Sequence, residues 1–225
     1  NELNKEDFIE EFEQYWGRLP NTKILKSMIN SSKDIKLIKY ADNQKKVIKR
    51  NGDNYIDVKR KMSQYSIVCS DSVEDFRVYK DMKNIRNGIY LYIETDTFIF
   101  PPDWRASLDI EYINTLLKNK SIEKGKLASH IKKCGKDLLI VFKVKQPNEC
   151  VNIFAVLIKG YIFDESSNKI NLLSNSELIP CWAIRCDKEF LVNRGGALSY
   201  ISDKKILVIG CGSIGGYLIN ELVKT

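Results

Sequence analysis

The sequence predicts two fold classes in tandem. An α+β domain is expected over residues 1–165, a connector over 166–203, and the opening β-α unit of an α/β domain over 204–225. Three observations carry this. Apolar residues at helical spacing open the chain and give way to alternating runs between 33 and 100. Two runs rich in Val, Ile and Phe, "DLLIVFKVKQ" (137–146) and "VNIFAVLIKGYIF" (151–163), follow a pair of helical stretches. The chain closes on "KKILVIGCGSIGGYLINELVKT", a short apolar run, a glycine-rich turn and a helical pattern.

The first helix covers residues 5–16, where Phe8, Ile9, Phe12, Tyr15 and Trp16 share a face. Asn4 caps it, and Gly17 and Pro20 end it. "TKILKSMIN" (22–30) predicts a second, short helix. "DIKLIKYA" alternates, with Ile35, Leu37 and Lys39 on one face. Asn51-Gly52 in "KKVIKRNGDNYIDVKRK" is a hairpin signal. "QYSIVCS", "FRVYKD" and "NGIYLYIETDTFIF" read as further strands, so residues 33–100 are expected to form an antiparallel meander. Pro101-Pro102 break it. Residues 107–119 predict a helix capped by Ser107, and 121–134 another with Gly135 just past its end. "PNEC" is the turn between the two apolar strands, and the less regular stretch after "KINLL" reads as connector.

Composition excludes several classes. Hydrophobic residues make up 44% and charged residues 29%, as in an ordinary globular protein. No apolar run approaches the roughly 20 residues that span a bilayer, and the acidic opening lacks the pattern of a signal peptide. A cytoplasmic location is the expectation. The six cysteines form no CxxC pair and His130 is the only histidine, so no zinc site is expected. The net charge of +7 is spread over the chain, with clustering in residues 36–50 and 118–126. No nucleic-acid motif accompanies it; an acidic protein partner fits the charge better, beside the plainer reading of solvated faces.

The glycine loop carries the chemistry. Gly210, Gly212 and Gly215 make G-x-G-x-x-G directly after "ILVIG", and Gly216 follows. Gly210 permits the tight turn, Gly212 lets backbone approach a phosphate, and Gly215 lets helix pack on strand. The helix N-terminus then offers unpaired N–H groups to an anion. This is the form of a Rossmann-type nucleotide site, with Ser213 inside it. NAD, ATP and S-adenosylmethionine all remain open on the loop alone, because the acidic residue that meets a ribose would lie beyond Thr225.

Ile206 to Gly216, "ILVIGCGSIGG", resembles the loop of the ThiF/MoeB/HesA superfamily, the adenylating enzymes related to ubiquitin-activating enzymes. The resemblance implies ATP- and Mg-dependent adenylation of the C-terminal carboxylate of a ubiquitin-like or sulfur-carrier protein, with a homodimer as one expected assembly. No nucleic-acid or membrane partner is expected from the motifs and hydropathy above. The family's catalytic residues lie downstream of its loop, so the chain is expected to be the front part of a longer protein, inactive by itself. In some members an Arg ahead of the first strand reaches a partner's ATP; Arg194 is the counterpart here, against an ordinary linker arginine.

The order of elements in the front part is similar to bacterial fusions in which a ubiquitin-conjugating-like domain precedes a ThiF-type domain. In that resemblance Gly88, Ile89 and Leu91 fit the stretch around the conjugating cysteine, but Tyr90 occupies the cysteine position. A phenol does not form thioesters. Cys69 is the fallback nucleophile, weighed against a buried strand cysteine. Cys134, beside Lys132 and Lys133, and Cys150 are further thiols to place. The expected role of the front domain is therefore docking. The alternatives are a non-enzymatic interaction module, or the front of an NAD-dependent oxidoreductase.

Overall fold

A computed structural model describes residues 11–30, 32–42, 66–78, 84–103 and 105–187. Helix α1 spans Phe12–Gly17, and strands β1 (Lys23–Met28), β2 (Lys36–Asp42) and β3 (Ser66–Ser70) follow. A 3₁₀ helix at Glu74–Val78 leads to β4 (Arg86–Glu94). Helices α2 (Ile110–Leu117) and α3 (Lys124–Ile131) precede β5 (Asp137–Lys145), β6 (Val151–Asp164) and β7 (Lys169–Arg185). The strands close into a barrel in the order β1-β3-β2-β4-β5-β6-β7.

Each strand sorts its side chains by period two, one set into the barrel and one outward. Leu25, Ile38, Tyr40, Cys69, Tyr90, Val141, Leu157 and Cys181 fill the interior. On the outside, Leu91, Ile140, Phe142, Phe154 and Val156 are covered by α1, α2 and α3 through Phe12, Trp16, Ile113, Leu117 and Leu127. Strands β5 and β6 are thus buried on both faces, as their unbroken apolar runs predict. A smaller outer cluster sets Phe76 of the 3₁₀ helix on Ala41 and Val68. Strands β4 and β5 are parallel, so their connection must cross over, and α2 and α3 make that crossing.

The seam between β6 and β7 is closed by α1. Their ladder runs to the pair Ala155 and Cys181. There the Trp16 indole N–H is shared between the Ala155 carbonyl at 3.2 Å and the Cys181 carbonyl at 3.1 Å. Beyond it the amide of Ile153 donates to Glu13 Oε1 at 2.8 Å. The end of β7 turns instead to β1, in parallel register from Lys23–Cys181 to Ser27–Arg185.

This architecture corrects the expected fold class. The described residues form one closed β-barrel with three short helices, not an α+β domain built on an antiparallel meander. No Rossmann-type β-α unit is among them; residues 204–225, on which that expectation rests, lie outside the described residues. The order is no meander, because β3 inserts between β1 and β2 and pairs with β1 in parallel. "TKILKSMIN" is not a helix but β1, and the described half of "FRVYKD", Phe76–Val78, is not strand but the end of the 3₁₀ helix; the rest lies outside the described residues. The stretch read as connector contains β7, 17 residues long, which closes the barrel. The reason is common to all three. Long-range pairing or packing overrides local propensity in each of them.

Smaller corrections concern ends and faces. Helix α2 starts at Ile110 with Asp109 as its cap, accepting from the Glu111 amide at 3.1 Å, and not with Ser107. Strand β4 stops at Glu94, and residues 95–100 leave the sheet. Ile35 and Leu37 do share the outer cluster, and the "PNEC" turn does join β5 to β6. The Asn51-Gly52 hairpin and the beginning of the first predicted helix lie outside the described residues. Among the described residues no helix is long and apolar enough to cross a membrane.

Candidate functional site

The thiols lie in three kinds of place. Cys69 on β3 and Cys181 on β7 are fully buried in the barrel interior. Burial pushes each thiol up to about 12, which outweighs the Ser27 hydrogen bond at Cys69 and the Lys23 charge at Cys181. Cys134 lies just past α3, and its thiol donates to the His130 carbonyl at 3.4 Å. Burial pushes it up to about 11; the lysine that opposes this is Lys39 across the groove, not Lys132 or Lys133. Cys186 is half-buried and also raised by burial, and Cys150 sits half-buried in the β5–β6 turn. Tyr90 points into the barrel and its hydroxyl donates to the Ser32 carbonyl at 3.0 Å. Burial holds that phenol up at about 12.

The chemistry that the sequence points to is therefore not assembled here. A thiolate is the nucleophile in thioester formation, and burial disfavours the thiolate at Cys69, Cys134 and Cys181. His130 turns its Nδ1 to the Lys126 carbonyl at 2.8 Å, within its own helix. Gly210, Gly212, Ser213, Gly215, Gly216 and Arg194 lie outside the described residues. Among the described residues no cluster of His, Cys, Asp and Glu is placed to hold a metal.

Three openings stand out among the described residues. The first is the mouth of the barrel, where Ser27, Tyr90, Lys143, Ile153, Arg185 and Asp187 enclose about 10 Å³, room for one water. Arg185 holds Asp187 in a fork, Nε to Oδ2 at 2.8 Å and Nη2 to Oδ1 at 2.9 Å. Glu13 closes the same end; burial raises its pKa against the Ile153 amide and the Arg185 charge. This mouth is narrow and lined by the paired Arg185 and Asp187.

The second opening is an aromatic groove of about 540 Å³. Residues 95–100 bend at Asp96 and Thr97, and the buried Gln146 side chain then holds Ile99 as a strand partner would. The Ile99 amide donates to Gln146 Oε1, and Gln146 Nε2 donates to the Ile99 carbonyl, both at 3.0 Å. The Tyr112 hydroxyl fixes the Phe100 carbonyl at 2.9 Å. Phe98 and Phe100 are left outward, 43% and 40% exposed, with ring centroids 6.4 Å apart.

The third opening is a basic cleft of about 500 Å³ at the opposite end of the barrel from the mouth. Lys39 of β2, Arg86 of β4, and Lys133 and Lys136 of the α3–β5 turn converge on it, with Asp137 as its only lining carboxylate. Asp137 is engaged by Arg86, whose guanidinium also lies 5.9 Å from the Tyr40 ring centroid. Lys39 Nζ donates to Asn87 Oδ1 at 2.6 Å, and Asn87 Nδ2 donates to the Lys133 carbonyl at 2.6 Å. Asn87 therefore ties the strand to the turn and sets the width of the cleft. Lysine clustering is visible in the sequence at 36–50, but the meeting of Lys39 with Lys133 and Lys136 comes only from the packing of α3 beside β4.

A scan against protein-family models matches none, and no curated protein matches the sequence.

Proposed function

We propose that the barrel is a cytoplasmic docking domain that binds a ubiquitin-like or sulfur-carrier protein and carries no modifier on cysteine. It serves an ATP- and Mg-dependent adenylating activity. The observation that supports the docking role is the placement of the thiols. Cys69 and Cys181 stand in the barrel interior with thiols raised to about 12, and Tyr90 fills the position where the resemblance would put a nucleophile. The adenylating role is supported by the loop from Gly210 to Gly216 in the sequence.

Two measurements test the two halves. The chain is incubated with the mercaptoethanesulfonate thioester of ubiquitin and run on non-reducing gels. The expected result is no thiol-sensitive adduct on the folded protein. A rapid adduct mapping to Cys69, Cys134 or Cys150 overturns the docking role. For the other half, ATP–pyrophosphate exchange by the natural protein with a Gly-Gly-ending sulfur carrier is expected to be lost in Gly212→Val. Exchange that survives removes the loop from the reaction.

A further inference from the structure

We infer that the basic cleft formed by Lys39, Arg86, Lys133 and Lys136 is where the docked partner is held, and that it takes an extended acidic segment of that protein. This rests on the docking role proposed above and gives it a place and a chemistry.

Charge supplies the first argument. Four cations line the cleft against one carboxylate, and that carboxylate is already committed to Arg86. Some lysines elsewhere on the surface find acidic partners, as Lys132 does with Glu165 at 2.8 Å and Lys159 with Glu177 at 2.6 Å. Among the described residues Lys133 and Lys136 meet no carboxylate, although both are exposed. Like charges gathered without counter-charges repel one another. The arrangement becomes favourable when anionic groups enter between them.

Shape and chemistry supply the second. The cleft is fixed by backbone and amide bonds and not by mobile side chains alone, since Asn87 bridges Lys39 to the Lys133 carbonyl. An acidic segment therefore meets cations whose bases are already placed, which limits the ordering cost of binding. Ile85 lies on the rim, 39% exposed, and gives an apolar side chain of the partner a contact. Among the described residues no aromatic side chain on which a base would stack lines the cleft, and single-stranded nucleic acid relies on such platforms. A carboxylate-rich peptide with an apolar residue matches every part of this lining, whereas a nucleic acid matches only the charge.

The test uses a fluorescein-labelled peptide alternating Glu, Asp and Leu, with binding followed by anisotropy. The full chain is expected to bind it, and binding is expected to weaken as salt rises. The double variant Lys133→Glu/Lys136→Glu is expected to lose at least about fivefold in affinity, because two attractions become repulsions. The double variant Lys118→Glu/Lys120→Glu makes the same change in net charge at the other end of β4, and is expected to change affinity less than about twofold. Circular dichroism confirms that both variants fold. Equal losses in the two variants, or no binding by the native chain, overturn the inference. So does tighter binding of a single-stranded RNA of equal charge with the same dependence on Lys133 and Lys136. None of these outcomes alters the thiol measurement, so failure of the cleft and failure of the docking role are told apart.

Discussion

The indole N–H of Trp16 donates to the carbonyl of Cys181 at 3.1 Å, although 165 residues separate the two. The same N–H reaches the Ala155 carbonyl at 3.2 Å, so one side chain from a six-residue helix joins β6 to β7 where their ladder ends. Trp16 is fully buried, stacked on Phe12 at 6.2 Å and tilted on Phe154 at 4.4 Å. Trp16→Phe keeps most of the apolar volume and removes the donor, leaving two carbonyls without it. A loss of about 1–3 kcal/mol is expected from that substitution in urea unfolding. Trp16→Ala is expected to cost about 3–5 kcal/mol because a cavity is added. Equal stability of Trp16→Phe and the native chain would show that the bridge contributes nothing.

Gln146 works in the same way for the aromatic segment. Its amide gives and takes one hydrogen bond with Ile99 and a further one at 3.0 Å with Asn152. Gln146→Leu leaves the Ile99 amide and carbonyl without these partners. Hydrogen exchange at the Ile99 amide is expected to accelerate at least about tenfold, while the amides of β5 stay protected. Unchanged exchange at Ile99 would mean that Tyr112 alone fixes the segment.

Glu13 links stability to pH. Burial raises its carboxyl above the ordinary 4.5, chiefly by desolvation. A group raised in the folded state favours folding fully below its unfolded pKa and loses that contribution as pH rises through the folded value. Glu13→Gln keeps an acceptor for the Ile153 amide and removes this term. Relative to the native chain, the variant should therefore gain stability as pH rises above the ordinary carboxyl value of 4.5. A stability difference that does not change with pH would show that Glu13 is as well solvated folded as unfolded.

At alkaline pH the interior is the sensitive part. Cys69 and Cys181 are raised from 9.0 to about 12, and Tyr40 and Tyr90 from 10.0 to about 12, each chiefly by burial. The unfolded chain loses these protons first. Stability is therefore expected to be flat in these groups below pH 9 and to fall as pH climbs from 9 towards 12. Denaturation midpoints at stepped pH measure it. Cys69→Ala/Cys181→Ala should fall less steeply than the native chain; identical slopes would place the alkaline sensitivity elsewhere.

Much of the local structure was legible in the sequence. The runs at 137–146 and 151–163 are so apolar that only strands covered on both faces accommodate them, and β5 and β6 are buried that way. The two helices before β5 follow from their period, although the expected caps are misplaced and the ends differ by a few residues.

Only the tertiary structure decided the rest. "TKILKSMIN" reads locally as a short helix; it becomes a strand because β3 and β7 offer it an edge on each side. The polar-studded stretch from Lys169 to Arg185 becomes β7 because its two ends pair with different neighbours, first β6 and then β1. Neither fact has a local signature, since a strand's hydrogen bonds are made with residues remote in the chain. The same holds for chemistry. The sequence contains Cys69, Tyr90, Lys39 and Lys133 as separate letters. The closure of the barrel buries the first two beyond reaction, and the packing of α3 beside β4 brings the last two to one cleft. Burial and juxtaposition are properties of the closed sheet, and they set which residues can ionise, react or meet a partner.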